Sequence, residues 1–324
     1  MRLGARVALS AALLAALTGL WLWASARRAE VSPQSFHSSG QCRACHERVY
    51  AEWESSHHRI AYTNPEVRAL SDDYRKEECK PCHLPRPVAI TGFGERTLAR
   101  GTELDEGVNC LSCHLDADGA IMARRDIPGA PCRPKRDERF LSMGLCENCH
   151  NQHFTTDQWR ASEFAKQGVD CNDCHMPRVS RTPNAEPTGR DHVFSGAHDL
   201  AMLRKAGVFE VRREGSELVL SLRNEGAGHN FPTEERHRAV DIVYRFASGK
   251  GEASDWTLAW RGRQPYRDES GENTQLPAGE RKVVRVPIPP GSVRAEARLW
   301  YRLAPYLTDE DAKSFLLREE VLDL

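Results

Sequence analysis

The chain has 324 residues, a formal net charge of −1, 28% charged side chains and a mean hydropathy of −0.59. That length allows two ordinary domains, and the absence of a basic stripe argues against a nucleic-acid partner. So polar a composition leaves too little apolar side chain to fill an interior of this size unaided.

The N-terminus carries Arg2 and Arg6, then an uncharged run over residues 7–26 that is long enough to span a bilayer. It closes on Ala24-Ser25-Ala26, a small-X-small pattern suited to signal peptidase, with Trp21 and Trp23 where an interfacial aromatic belt would lie. Residues 1–28 are therefore read as a signal peptide or membrane anchor, with the balance towards an uncleaved anchor. Residues 29–41 form a polar tether, and the rest of the chain is expected to be exported and periplasmic.

From Cys42 the sequence repeats Cys-X-X-Cys-His five times, at Cys42, Cys45 and His46; Cys79, Cys82 and His83; Cys110, Cys113 and His114; Cys146, Cys149 and His150; and Cys171, Cys174 and His175. Two thiols on one turn can add to the vinyl groups of one porphyrin, and the following His then meets the iron from the proximal side. The spacing predicts five covalently attached c-type haems. Their macrocycles would supply the interior that the side chains do not. Of the 11 cysteines only Cys132 is left over, as a buried thiol or an interchain cross-link.

Between the motifs the elements are short. Asn64-Pro65 predicts a helix to about Lys76, Thr156 caps a helix through Lys166, and Ser195 caps one over residues 197–206 that Gly207 ends. Tight turns are expected at Thr91 to Gly94 and Asp116 to Gly119, and residues 177–194 read as a surface connector. An internal duplication is visible: Trp53, Ser56 and His58 follow His46 much as Trp159, Ser162 and Phe164 follow His150, and Gly107-Val108-Asn109-Cys110 echoes Gly168-Val169-Asp170-Cys171.

After Gly207 the period changes to two, with alternation through Leu218 to Leu222, Val240 to Phe246, Val284 to Ile288 and Val293 to Tyr301. The predicted fold class is α+β and multidomain. A small, mostly helical and loop pentahaem domain at 42–206 packs around its haems, and an antiparallel β-sandwich follows at 207–324, with a terminal helix near Asp309 to Leu317.

Five of the 13 histidines are assigned by motif. Of the others, His58, in the repeated Trp-X-X-Ser-X-His frame, is the strongest candidate for a distal iron ligand. His57 points roughly 100° away around a helix and is assigned to solvent or a haem propionate. His192 and His198 flank the Gly196 turn. His229 lies in Gly226-Ala227-Gly228-His229-Asn230-Phe231-Pro232-Thr233, where the glycines allow close backbone approach. His37, five residues before Cys42, is a further distal candidate. His153 ranks lower, and His237 reads as surface. Met122, Met143 and Met202 are assigned to packing. Phe164 stands where the frame calls for His and cannot ligate iron.

The first motif with Tyr50, Trp53, Ser56 and His58, the Gly-Val-X-Cys-X-X-Cys-His frames ending at His114 and His175, and Asp191-His192-Val193-Phe194-Ser195-Gly196-Ala197-His198 resemble the multihaem cytochrome c family typified by cytochrome c-554. The Gly-His-Asn-Phe-Pro-Thr loop is similar to that of larger bacterial relatives with a C-terminal β-domain. The resemblance spans roughly residues 36–240. It implies an exported electron carrier with closely stacked, mostly bis-His haems. The chain departs from the type member in having five motifs instead of four, and at Phe164.

The leading functional expectation is electron transfer in periplasmic respiratory or redox metabolism, with redox proteins or quinol-oxidising membrane complexes as partners and membrane contact through the N-terminal segment. No catalytic residue is assigned. The alternative is a reductase of nitrite, hydroxylamine or a sulfur oxyanion with one five-coordinate haem. The basic stretch Arg124, Arg125, Arg133, Lys135 and Arg136 would then face substrate; its simpler role is pairing with propionates. A third reading is a docking subunit whose haems merely conduct.

Overall fold

The computed structural model describes residues 18, 36–140, 143–183, 185–186, 188–233, 238–265 and 271–324. The apolar run at 7–26 therefore lies outside the described residues apart from Thr18, as does His237. Among the described residues no helix is long and apolar enough to cross a membrane.

The first half is a chain of short helices: α1 (Gly40–Arg43), α2 (Glu47–Glu54), α3 (Pro65–Leu70), α4 (Lys80–His83), α5 (Val88–Thr91), α6 (Cys110–His114), α7 (Gly144–His150), α8 (Thr155–Arg160), α9 (Glu163–Lys166), α10 (Cys171–His175) and α11 (Leu200–Ala206). Helices this short are marginal in water and depend on what they pack against. Two small pairs lie between them: parallel β1 (Met122–Ala123) with β2 (Lys135–Arg136), and antiparallel β3 (Arg178–Val179) with β4 (Gly189–Arg190).

Several sequence expectations shift here for identifiable reasons. Asn64 caps α3 as predicted, by accepting from Glu66 N at 2.9 Å, but the helix stops at Leu70 because Asp72, Asp73 and Tyr74 all take positive φ. The helix expected from Thr156 to Lys166 is broken into α8 and α9. Ser162 is extended there, and its hydroxyl donates back to Trp159 O at 2.7 Å. The helix expected from residue 197 begins at Leu200, since the cap is Asp199, which accepts from Ala201 N and Met202 N.

The second half is two antiparallel sheets on one core. Strands β5 (Gly207–Glu214), β6 (Glu217–Asn224) and β9 (Arg281–Pro287) form one, in the order β5-β6-β9. Strands β7 (Ala239–Ser248), β8 (Thr257–Gly262), β10 (Ser292–Arg302) and β11 (Ser314–Asp323) form the other, in the order β11-β10-β7-β8. Leu218, Leu220 and Leu222 from the first sheet meet Val240, Ile242, Ala297 and Leu299 from the second. The predicted terminal helix is instead strand β11. It pairs with β10 in a register that sets Tyr301 opposite Phe315 and Arg298 opposite Glu319, and so covers an edge that would otherwise stand open. The residues before it form a turn in which Asp311 accepts from Thr308 N at 2.7 Å. Asp241, 1% exposed, takes both Arg261 and Arg302 and ties β7, β8 and β10 together by charge.

Candidate functional site

A cavity of about 2060 Å³ runs among the short helices of the first half and reaches the β-domain at His229, Phe231 and Tyr301, well beyond the roughly 300–1,000 Å³ of an ordinary ligand pocket. All ten motif cysteines and all five motif histidines line it, together with His57, His58, His153, His192, His198 and His229. His37 does not; it is exposed, and its backbone N–H donates to Gln41.

Local sequence explains how the motifs are presented. Asn109 and Ser112 form a reciprocal capping box at the start of α6, and Asp170 and Asp173 do the same at α10. Each box starts the helix at the first cysteine, so both thiols and the histidine fall within one short helix. The motif helices also touch one another. The Cys42 side chain lies beside that of Cys110, Cys82 beside Cys149, and Cys146 beside Cys171. Cys113 lies within electrostatic range of both Cys146 and Cys149. The fourth motif thus adjoins the second, third and fifth, and the third adjoins the first.

Three pairs of imidazoles face each other: His58 and His150 with ring centroids 6.2 Å apart, His114 and His192 at 6.4 Å, and His175 and His229 at 6.2 Å. A metal–imidazole bond of roughly 2.0–2.1 Å, with about 1.1 Å from nitrogen to ring centre, puts two rings on opposite sides of one ion roughly 6.3 Å apart. The polarity of the rings agrees. His83, His114, His175, His192 and His229 each set Nδ1 against a backbone carbonyl, of Ala61, Met122, Ser195, Arg190 and Asn230 respectively, at 2.6–3.1 Å. A carbonyl only accepts, so Nδ1 carries the proton and Nε2 is left with a bare lone pair for metal. Burial holds the His58, His114, His175 and His192 rings below the ordinary histidine range, pushing His58 down to about 3 and His114 to about 4. His153 Nδ1 and Thr156 Oγ1 are buried without a protein partner, and both residues belong to the cavity wall. Thiol pairs, facing imidazoles and orphaned polar atoms on an oversized cavity are the features that covalently held haems require.

The other candidates fall elsewhere. His198 stacks on His57 with ring centroids 3.8 Å apart. Among the described residues no imidazole stands across from His46 at the spacing of the three pairs. Cys132 is half-buried on the cavity wall, within electrostatic range of Cys42.

The internal duplication is present in three dimensions. Trp53 Nε1 donates to Val108 O at 2.8 Å and Trp159 Nε1 to Val169 O at 2.9 Å. Val108 N donates to His58 O at 2.8 Å, and Val169 N to Phe164 O at 3.0 Å. His58 and Phe164 are therefore equivalent positions. The first unit is opened between them and the Gly-Val turn by an insertion that carries the second motif, Cys79–His83. Phe164 receives the β-domain: a Cβ on Gly228 would lie 3.3 Å from both Phe164 and Trp159, tighter than ordinary packing, so glycine eases the close approach of the loop that presents His229. Gln158 accepts from Asn230 N and Thr233 Oγ1, and buried Asn224 donates to His229 O at 2.8 Å, which holds that loop in shape. Neither Gln158 nor Asn224 belongs to a recognisable motif: Gln158 meets Asn230 N and Thr233 Oγ1 far along the chain, and Asn224 meets the carbonyls of His229 and Leu276.

Residues 41–115 match the family model described as Cytochrome c554 and c-prime. The whole chain is similar in fold to a penta-heme cytochrome c552 from Thermochromatium tepidum, with a TM-score of 0.68 at 19% identity over 89% of this chain and 99% of that one. A superoxide reductase from Nanoarchaeum equitans aligns with 38% of this chain and 94% of its own, at 12% identity and a TM-score of 0.22, too slight a likeness to build on. No curated protein matches. The resemblance to multihaem c-type cytochromes thus holds in a family model and in the fold, and c-type haem is the cofactor these findings support.

Proposed function

We propose that the protein is an exported pentahaem c-type cytochrome that carries electrons between periplasmic redox partners. Each of the five Cys-X-X-Cys-His motifs holds one haem. His150 with His58, His114 with His192, and His175 with His229 would supply the ligands of three of the irons. The observation that carries this reading is the set of three facing imidazole pairs at 6.2–6.4 Å on one continuous cavity. Bound haem supplies the electron-carrying iron. The chain would fix where each iron sits, and the adjoining motif helices would bring the sites close enough for transfer between them. Delivery across the membrane, anchoring by residues 7–26, and redox proteins or quinol-oxidising complexes as partners belong to the same proposal.

The test is spectroscopic. Intact mass should give five haems per chain, and low-temperature magnetic circular dichroism should give at least three low-spin bis-imidazole irons. Substituting His58, His192 or His229 by Met, one at a time, should each convert one of those three. High-spin iron combined with turnover of nitrite, hydroxylamine or a sulfur oxyanion from a viologen donor would instead favour the reductase reading.

A further inference from the structure

We propose that Glu52 and Arg181 are positioning residues for His192, and that their opposed charges set the reduction potential of the haem held by Cys110, Cys113 and His114. The proposal rests on the reading of His192 as an iron ligand. Glu52 comes from α2, in the first repeat unit, whereas Arg181 and His192 belong to the connector that follows the last motif. Arg181 grips the carboxylate with a fork, Nε to Oε1 at 2.9 Å and Nη2 to Oε2 at 2.5 Å. Both side chains are 22% exposed, so solvent screens the pair only in part. The same Oε2 accepts the backbone N–H of His192 at 3.1 Å and lies 3.9 Å from its Nδ1. Glu52 therefore fixes the backbone that aims His192 at His114.

Arg181 touches the ligand by a second route. Its Nη2 donates to Arg190 O at 2.6 Å, the same carbonyl that accepts His192 Nδ1 at 2.8 Å. Sharing that carbonyl weakens its pull on the Nδ1 proton, so the imidazole is less electron-rich than with an unshared acceptor. Gly189, opposite Val179 in the β3–β4 pair, leaves the room required: a Cβ there would stand 2.1 Å from Arg181 Nη1. The guanidinium is held at both ends, so it could not move aside without losing these bonds.

The two charges act on the iron with opposite sign. An unbalanced carboxylate near the ligand favours the ferric state, and an unbalanced guanidinium favours the ferrous state. The test uses full-length holoprotein carrying Glu52→Gln, Arg181→Gln, both together, Arg181→Lys, or the reference substitution His192→Met, followed by spectroelectrochemical titration and magnetic circular dichroism. His192→Met should identify the haem through loss of one bis-imidazole signal. For that haem alone, Glu52→Gln should raise the midpoint potential and Arg181→Gln should lower it. Each change corresponds to about a tenfold shift in the ferric-to-ferrous ratio at fixed applied potential. The double variant should return close to the parent, and Arg181→Lys should lie between the parent and Arg181→Gln. Shifts of the same sign from both single variants would mean general loosening and would overturn the proposal, as would no shift or a shift at another haem. If His192→Met left every bis-imidazole signal intact, the ligand reading itself would fall, and that result is distinct from the others.

Discussion

Residues 207–324 bury Leu218, Leu220, Leu222, Val240, Ile242 and Ala297 completely, all in one contiguous cluster. Residues 36–206 bury scattered apolar side chains such as Trp53, Tyr74, Leu84 and Leu111 around a cavity, and of these residues only Leu203 and Ala206, at the junction, belong to the buried members of that cluster. The β-domain therefore carries its own hydrophobic driving force in its sequence. Among the described residues the helical half has no equivalent, and under the proposed function its short helices would depend on the haems attached to them. Two regions of one chain thus solve the core problem differently, which explains how so polar a composition still yields a folded protein.

Withholding the haems should separate the two halves most. Chain made without cytochrome c maturation, or with the ten motif cysteines changed to Ala, should lose amide protection across residues 36–206 in hydrogen exchange while β6, β7 and β10 stay protected. Equal protection in both halves would show that the helical half has a core of its own. The converse test strikes the β-domain. Asp241→Asn leaves Arg261 and Arg302 facing a neutral amide in a site 1% exposed, and should cost about 3–5 kcal/mol in a denaturant titration of the sandwich. Haem content and the His58–His150 spectral signature should not change.

Smaller effects sharpen the boundary. Asn109→Ala or Asp170→Ala removes one capping box and should weaken its motif helix by about 0.5–2 kcal/mol, read as slower haem incorporation at that motif alone by peptide mass mapping. Smallest is a pH effect in the β-domain. Burial acts to raise the Glu296 carboxyl, but Arg245 and then Arg294 outweigh it and hold the group below its usual 4.5. A depressed carboxylate contributes stability that is complete above the unfolded value and disappears as pH falls through the folded one. The sandwich should therefore lose stability on acidification below about pH 4.5, and Glu296→Gln should flatten that part of the profile.

Much of the architecture was legible in the residues. Cys-X-X-Cys-His carries its chemistry in its spacing, and the period-two runs from Leu218 to Tyr301 mark strands because one face of each must be buried. The duplicated Trp-X-X-Ser frame was readable because its spacing repeats, and in each copy the serine hydroxyl donates to the tryptophan carbonyl. Other features were out of reach. The 309–317 segment scores as helix locally, yet Phe315 and Leu317 belong to a strand because β10 offers an edge to pair with. His192 was separable from His198 only once three-dimensional pairing set one against His114 and the other against His57. Partners such as Ala61 O, Met122 O and Ser195 O, which fix the imidazole tautomers, are backbone atoms with no sequence signature.

The claim on which the account turns is that facing imidazoles hold iron inside the helical half. Near-infrared magnetic circular dichroism of the oxidised, fully matured protein tests it most directly. The account predicts at least three bis-imidazole low-spin haems, one lost in each of His58→Met, His192→Met and His229→Met. A spectrum without such irons, or one unmoved by all three substitutions, would contradict it.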